Sequence, residues 1–353
     1  MTSHTNTMGP PHVDAVRAVA VAFAMPEETF ARVFDPGDVA ALHAASTVRV
    51  LADQPLDLDA GGADAACLAE VEVLVTGWGT PVLDPARLDR MPRLRAVVHS
   101  AGSLRPVVDD AVWQRGIAIT SSATANAVPV AEFTVAVIVL AAKRALGAAD
   151  ALRRAGGAPV DVEESWPTVG MYGITVGVVG ASRVGRAVIE RLRGYDVRVV
   201  LSDPTVGEAE AARLGVALME LGELCAVSDV VSLHAPLLPE TVGMLDRTAI
   251  ERMRPGATLV NTARGALVDQ DALADRLDRG DLTAVLDVTE PELLPAGARL
   301  RSTPNTFITP HIAGSLGNEL RRLAGNAVRE ALAFSATGAF TDPIAFERAV
   351  IQA

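Results

Sequence analysis

From about residue 17, short apolar runs alternate with stretches of helical periodicity, and this alternation limits the fold most strongly. AVAVAF (18–23), EVLVTG (72–77), RAVVHS (95–100) and IAIT (117–120) read as strands. A second series follows: ITVGVV (174–179), VRVVLS (197–202), DVVSLH (229–234), ATLVNT (257–262), LTAVLDV (282–288) and TFITP (306–310). Near-continuous apolar strands separated by amphipathic helices, such as DALADRLDRG (271–280), mark parallel sheets covered on both faces. The expectation is an α/β protein with two doubly wound parallel-sheet domains, which suits 353 residues and 50% hydrophobic composition.

Between the two series the spacing predicts a long helix over roughly 128–155, then a Gly- and Pro-rich loop, GGAPVDVEESWPTVGMYG. A final helix is expected over about 315–335. MTSHTNTMGPPH lacks a basic segment followed by an apolar run and reads as a disordered leader over 1–12. AVPVAEFTVAVIVLAAKR is the most apolar stretch, but its charge-free core, Phe133 to Ala142, is too short to span a bilayer. A net charge of −12 argues against nucleic acid and anionic membranes as partners. Cys67 and Cys225 stand far apart without metal-ligand spacing, which points to a reducing cytoplasm and no metal site.

Ligands of open α/β sheets bind outside the carboxyl ends of the strands. In the second series Asp203, His234, Arg264, Glu290, Glu292 and His311 follow strand ends, so a cation, a carboxylate pair and two imidazoles are expected in one crevice. A charged residue after a strand is often only a solvated loop residue, and a histidine there a cap. Several at successive ends, beside a glycine turn, point to a site. That turn is GVVGASRVGR, residues 177–186. Gly180 and Gly185 keep the first and third glycines of the dinucleotide fingerprint, while Ser182 replaces the second. A serine is tolerated there if its φ is negative, and its hydroxyl could donate to a phosphate oxygen. Arg183 adds positive charge beside Val184 at the helix start. Asp203, about 20 residues on, is placed to hold ribose hydroxyls and to repel a 2′-phosphate, which favours NAD over NADP.

Several motifs resemble those of the D-isomer-specific 2-hydroxyacid dehydrogenases: NTARGALVD (261–269), LDVTEPELLP (286–295), TPHIAG (309–314), HSAG (99–102) and ANAVPVAE (125–132). The resemblance covers about residues 17–335. It implies a flavodoxin-like substrate domain (13–122) and a Rossmann NAD-binding domain (123–314), separated by a cleft, with 315–353 returning to the first. It also implies hydride transfer between NAD(H) and C2 of a small 2-keto or 2-hydroxy acid. Arg264 would bind the substrate carboxylate and polarise the carbonyl, and His311 would be the general acid or base. Glu292 would pair with His311, keeping the proton available near neutral pH and fixing the tautomer, with Glu290 as the competing partner. The family has proline after this glutamate, whereas here Leu293 follows. Asp287 would orient the nicotinamide carboxamide. Ala101 and Gly102 would offer N–H groups to the substrate, and Trp78 and Gly79 in TGWGT would border it, simple packing being the other reading of Trp78. His234, Ala235, Pro236, Thr241, Thr262, Ala263 and Gly314 complete the implied cofactor contacts.

Arg105, just past HSAG, reads as a solvated surface arginine, with an extra anionic group of the substrate as the alternative. The resemblance further implies a homodimer, through the long apolar helix and the loop around Trp166. Formate dehydrogenases of this fold have glutamine where Glu292 stands, which argues against that branch. A phosphoglycerate dehydrogenase-like enzyme would here lack a regulatory domain, since the chain ends soon after its last helix. The non-enzymatic alternative is an NAD-sensing scaffold or co-regulator of the same fold.

Overall fold

The computed structural model describes residues 17–303 and 305–345. The expected leader, residues 1–12, and the end of the tail lie outside the described residues. Two compact units divide the chain. Among described residues the first comprises 17–98, 108–120 and 327–343, and the second comprises 99–107, 121–326 and 344–345. The partition is discontinuous: the HSAG segment groups with the second unit, and much of the last helix with the first.

The first unit is built on β1 (Val19–Ala24), β2 (Val48–Val50), β3 (Val73–Thr76), β4 (Ala96–His99) and β5 (Ala118–Ser121), in the order β2-β1-β3-β4-β5. This is the flavodoxin-like order. Every residue of β1 and β3 is buried, as a sheet covered on both faces demands. Phe23 on β1 meets Phe30 and Phe34 edge-on, each at 5.0 Å between ring centres, which seats the helix Glu27–Val33. The three-residue β2 was not expected; it is an edge strand with one fully buried position, too short to show periodicity.

The second unit carries β6 (Thr175–Val179), β7 (Arg198–Ser202), β8 (Ala217–Leu218), β9 (Val230–Leu233), β10 (Thr258–Asn261), β11 (Thr283–Leu286) and β12 (Thr306–Ile308). The order β12-β11-β10-β9-β6-β7-β8 is that of a doubly wound sheet, with its switch point between β6 and β9. All six neighbouring pairs in it are parallel, and Val179 pairs with Leu233 and Leu233 with Asn261 at the carboxyl ends. The expected six strands become seven because the two-residue β8 extends the edge.

The expected single helix over 128–155 is two helices, Ala123–Ala142 and Ala145–Arg154. Arg144 between them takes a left-handed φ of 55°, which ends the first helix. Its guanidinium is held by the Gly256 carbonyl and, at 3.4 Å, by the Thr283 hydroxyl. The first helix starts ahead of Pro129 and carries that proline inside it. At 20 residues it is long and apolar enough to cross a membrane by length and composition, longer than its charge-free core suggested. Yet 61% of its apolar window is buried inside the protein, where it packs on the helix Arg183–Leu192 and on β9 and β10. The last helix is Leu320–Thr337, preceded by a single tight turn over Gly317–Glu319.

Candidate active site

β6 delivers the chain into Gly180, whose φ of +94° lies in the region L-residues avoid. A Cβ there would stand 2.6 Å from the Ala235 nitrogen, and one on Gly185 would stand 2.1 Å from the Gly180 oxygen. Both glycines therefore answer to close backbone approach. Ser182 does not need to be glycine: its φ is −62° and ψ 177°, ordinary extended backbone. It is the N-cap of the helix Arg183–Leu192, and its Oγ accepts the Gly185 N–H at 3.3 Å. Its own hydroxyl hydrogen remains to donate. Arg183 and Val184 are half-buried in the first turn. Arg186 Nε donates to the Ala181 carbonyl at 2.7 Å and pairs with Glu210, pinning the turn from below.

Asp203, just past β7, braces the same turn. Its Oδ2 accepts the Ala181 N–H at 2.6 Å, and its Oδ1 accepts the Thr205 N–H and hydroxyl at 2.8 and 2.6 Å. A glycine cradle at the switch point and a capped helix start offer backbone donors, and the acid after the second strand an acceptor, a combination that fits a dinucleotide.

The segment after β9 lies against this turn. Ala235 is buried and Pro236 half-buried. Thr241 Oγ donates to the Pro236 carbonyl at 2.6 Å and accepts the Leu238 N–H at 2.8 Å, closing the loop on itself. His234 is 3% exposed, so the expectation of two imidazoles in one crevice is corrected. Its Nε2 meets Ser232 Oγ at 2.8 Å, and its buried Nδ1 has no partner among the described residues. Burial pulls its pKa down to about 3, which keeps the ring neutral.

At β10 the chain turns into the arginine segment. Asn261 grips that turn, its Nδ2 donating to the Arg264 carbonyl at 2.8 Å and its Oδ1 accepting the Ala263 N–H at 3.0 Å. Thr262 Oγ meets Thr134 Oγ of the long helix at 2.8 Å. A Cβ on Gly265 would fall 2.0 Å from the Thr289 carbonyl carbon, so the turn lies directly on the 289–290 peptide. Arg264 is half-buried and donates to the Ala263 carbonyl at 2.6 Å. Burial holds its pKa below the ordinary guanidinium value, Glu292 offsets this in part, and Arg105 adds to it.

Asp287 follows β11 and is 2% exposed. Its Oδ1 accepts the Thr309 hydroxyl at 2.6 Å and the Ile312 N–H at 2.8 Å, and its Oδ2 accepts the Ala313 N–H at 2.9 Å. The His311 N–H also reaches its carbonyl at 3.1 Å. The carboxylate thus folds residues 309–313 around itself and places His311, which sits at a φ of +54°. Both Asp287 oxygens are engaged by this loop. His311 Nδ1 lies 2.6 Å from Glu292 Oε1, and both side chains are about half exposed. At Glu290 the backbone N–H donates to Gln270 Oε1 at 3.3 Å and the carbonyl accepts from Gln270 Nε2.

Asn126 ties two further stretches together. Its Oδ1 accepts the Ser315 N–H at 2.9 Å, beside Gly314, and its Nδ2 stands 3.4 Å from where a Gly102 Cβ would be. Ala101 is buried, with its carbonyl accepting the Ser122 N–H at 3.1 Å. Asn126, Asn261, Ser232 and Gly265 are not singled out by the sequence, although Asn126 lies in ANAVPVAE and Gly265 directly follows the arginine. Trp78 and Gly79 belong to the first unit, just past β3. Trp78 is 42% exposed, and Gly79, at φ +81°, lies against Pro26, 2.8 Å from a would-be Cβ.

A histidine past β12 backed by a carboxylate, with a guanidinium past β10 in the same sheet, can bind an anion and move a proton beside it. The family model described as "D-isomer specific 2-hydroxyacid dehydrogenase, NAD binding domain" matches residues 136–313. A D-3-phosphoglycerate dehydrogenase of Mycobacterium tuberculosis is 36% identical over 309 residues, 84% of this chain and 56% of the relative. This chain therefore spans little more than half of that relative. A glyoxylate reductase of Korarchaeum cryptofilum is 33% identical over 261 residues, 72% of this chain and 77% of that one. Among solved structures, the TT0316 protein of Thermus thermophilus superposes with a TM-score of 0.70 at 31% identity, covering 93% of this chain and all of its own.

Proposed function

The chain belongs to the D-isomer-specific 2-hydroxyacid dehydrogenase family, and from that premise we propose that it transfers a hydride between NAD(H) and C2 of a small 2-keto or D-2-hydroxy acid. The observation that carries the reading is the 2.6 Å contact between His311 Nδ1 and Glu292 Oε1 in the same unit as Arg264. Arg264 takes the C1 carboxylate, and its charge draws electron density toward the carbonyl oxygen. Glu292 accepts a hydrogen bond from Nδ1–H, so protonated His311 gives its Nε2 proton to that oxygen and is left as the neutral Nδ1–H tautomer. The reduced cofactor supplies the hydride, so each reduction consumes one proton and converts C=O to CH–OH. Asp287 and Asn261 act as positioning residues, one for the histidine loop and one for the arginine turn. Asp203 favours NAD over NADP, because a 2′-phosphate would bring negative charge onto a carboxylate.

A homodimer through the helix Ala123–Ala142 and the loop around Trp166 is consistent with exposed Leu140, Leu152 and Tyr172. The two free cysteines suit a reducing cytoplasm. The test is oxidation of NADH, and separately NADPH, by the purified protein across a panel of 2-keto acids. Turnover with NADH exceeding that with NADPH is the expected result. NADH binding without turnover on any keto acid would favour the cofactor-sensing alternative, and failure to bind either cofactor would sink both readings.

A further inference from the structure

We infer that Arg105 is a specificity-determining residue that receives a second anionic group, carboxylate or phosphate, on a 2-keto acid whose C1 carboxylate lies on Arg264. The inference rests on the dehydrogenase reading and adds the substrate class.

The argument begins with strand pairing. β9 and β10 are parallel neighbours with Leu233 opposite Asn261, so the segments 234–237 and 262–264 leave the sheet side by side. Arg105 Nη2 donates to the Leu237 carbonyl at 3.2 Å. Its guanidinium is thereby placed at the mouth of β9, next to the turn that carries Arg264. The side chain is exposed and held by this one bond among the described residues. The loop behind it is fixed by Ser122, whose N–H donates to the His99 carbonyl at 2.9 Å and the Ala101 carbonyl at 3.1 Å. The His99 ring is itself buried and bonded to the Ser103 backbone.

Charge makes the arrangement informative. Several arginines elsewhere in the molecule clamp carboxylates, Arg87 with Asp59, Arg276 with Asp281, Arg279 with Glu251, and Arg299 with Asp275 and Asp278, whereas others, such as Arg198 and Arg213, have no ion pair among the described residues. Among the described residues neither Arg105 nor Arg264 has an ion-pair partner within 4 Å. Burial is the main cause that lowers the Arg264 proton affinity, and the Arg105 charge acts in the same direction. The nearby carboxylate, Glu292, is already committed to His311. One guanidinium suffices for one carboxylate, which it can take with two parallel bonds. A second, uncompensated one beside it, in a protein of net charge −12, is accounted for by a ligand that brings a second negative charge.

The test compares kcat/KM with NADH for 2-ketobutyrate, oxaloacetate and 3-phosphohydroxypyruvate in the parent, Arg105→Gln and Arg105→Lys. Losing a charge-assisted bond predicts a fall of about 10- to 100-fold for one or both anion-bearing substrates in Arg105→Gln, carried mainly by KM. 2-Ketobutyrate should change by less than about twofold, and Arg105→Lys should recover part of the loss. Which anion-bearing substrate responds identifies the group as carboxylate or phosphate. An equal effect on all three, or none, overturns the role of Arg105 while leaving the dehydrogenase reading intact. Absence of turnover in the parent defeats that reading instead. Thermal shift in the presence of NADH then decides about Arg105. D-malate or 3-phosphoglycerate must raise Tm more than 2-hydroxybutyrate does, and Arg105→Gln must abolish the difference; equal shifts overturn the inference.

Discussion

His234 and His311 each stand just past a strand of the same sheet, at the ends of β9 and β12, and their sequence contexts look alike. The structure treats them oppositely. His311 is half exposed and has a carboxylate 2.6 Å from Nδ1. His234 is buried beneath the glycine turn, has a serine hydroxyl on one nitrogen and, among the described residues, nothing on the other, and is held neutral. Position at a strand end selects the neighbourhood of the site. Burial and partner select the task, because an imidazole works as an acid–base only where a charge can come and go.

The sharpest way to break this contrast is to delete each ring. His311→Asn should lower kcat at neutral pH by about 10²- to 10⁴-fold, the usual worth of a positioned acid–base group. Glu292→Gln should cost less, because it weakens the pairing but leaves the ring. His234→Gln should retain at least about tenfold more turnover than His311→Asn. Equal losses for the two histidine variants in the same assay would erase the distinction.

A second measurement addresses what burial does to His234. Its folded pKa of about 3 lies below the ordinary value of 6.5, and that of His99, also desolvated, lies at about 4. Between these values and 6.5 the unfolded chain binds more protons than the folded one. Stability from keeping the rings neutral is therefore complete above about pH 6.5 and is lost as pH falls toward 4 and 3. Each histidine can contribute a slope of up to about 1.4 kcal/mol per pH unit in that window. Urea denaturation from about pH 7 to about 4.5 should show stability falling with pH, and His234→Gln should remove about one proton's worth of slope. An unchanged slope in the variant would mean the ring is not desolvated.

The same contrast explains what could be read from the sequence. Arg264, Glu292 and His311 could be proposed from the sequence because each stands shortly after a strand end, in motifs that resemble the family's, although spacing left Glu290 open beside Glu292; the structure brings Glu292 and His311 together across loops that follow β11 and β12. The strands other than β2 and β8 were legible because their buried runs are apolar. Asn126, Asn261 and Ser232 were not, since a buried amide or hydroxyl gains meaning only from partners that tertiary structure supplies. The inward turn of His234 was hidden for the same reason. The break at Arg144 lies in a continuous helical pattern, and the left-handed residue that makes it is held by Gly256 and Thr283, both more than a hundred residues away.

The smallest expected effect concerns Ser182, where the glycine fingerprint departs from its usual form. Glycine at 180 and 185 is enforced by backbone atoms within 2.6 and 2.1 Å of a would-be Cβ, whereas position 182 is extended and open to a side chain. There the serine acts as a helix cap through its bond to the Gly185 N–H. Ser182→Ala should therefore cost about 1 kcal/mol of stability, and Ser182→Gly only a few tenths, because glycine is itself an acceptable cap. NADH affinity, followed by fluorescence titration, separates capping from phosphate binding. If the hydroxyl only caps, the Gly variant binds NADH as the parent does, with the backbone N–H groups of the helix start doing the holding. If the hydroxyl also donates to a phosphate, both variants lose about 10-fold in affinity, as the loss of a bond to a charged oxygen predicts. In that case the departure at Ser182 is a substitute for the missing glycine's close approach, with a side-chain donor reaching where backbone would otherwise come near.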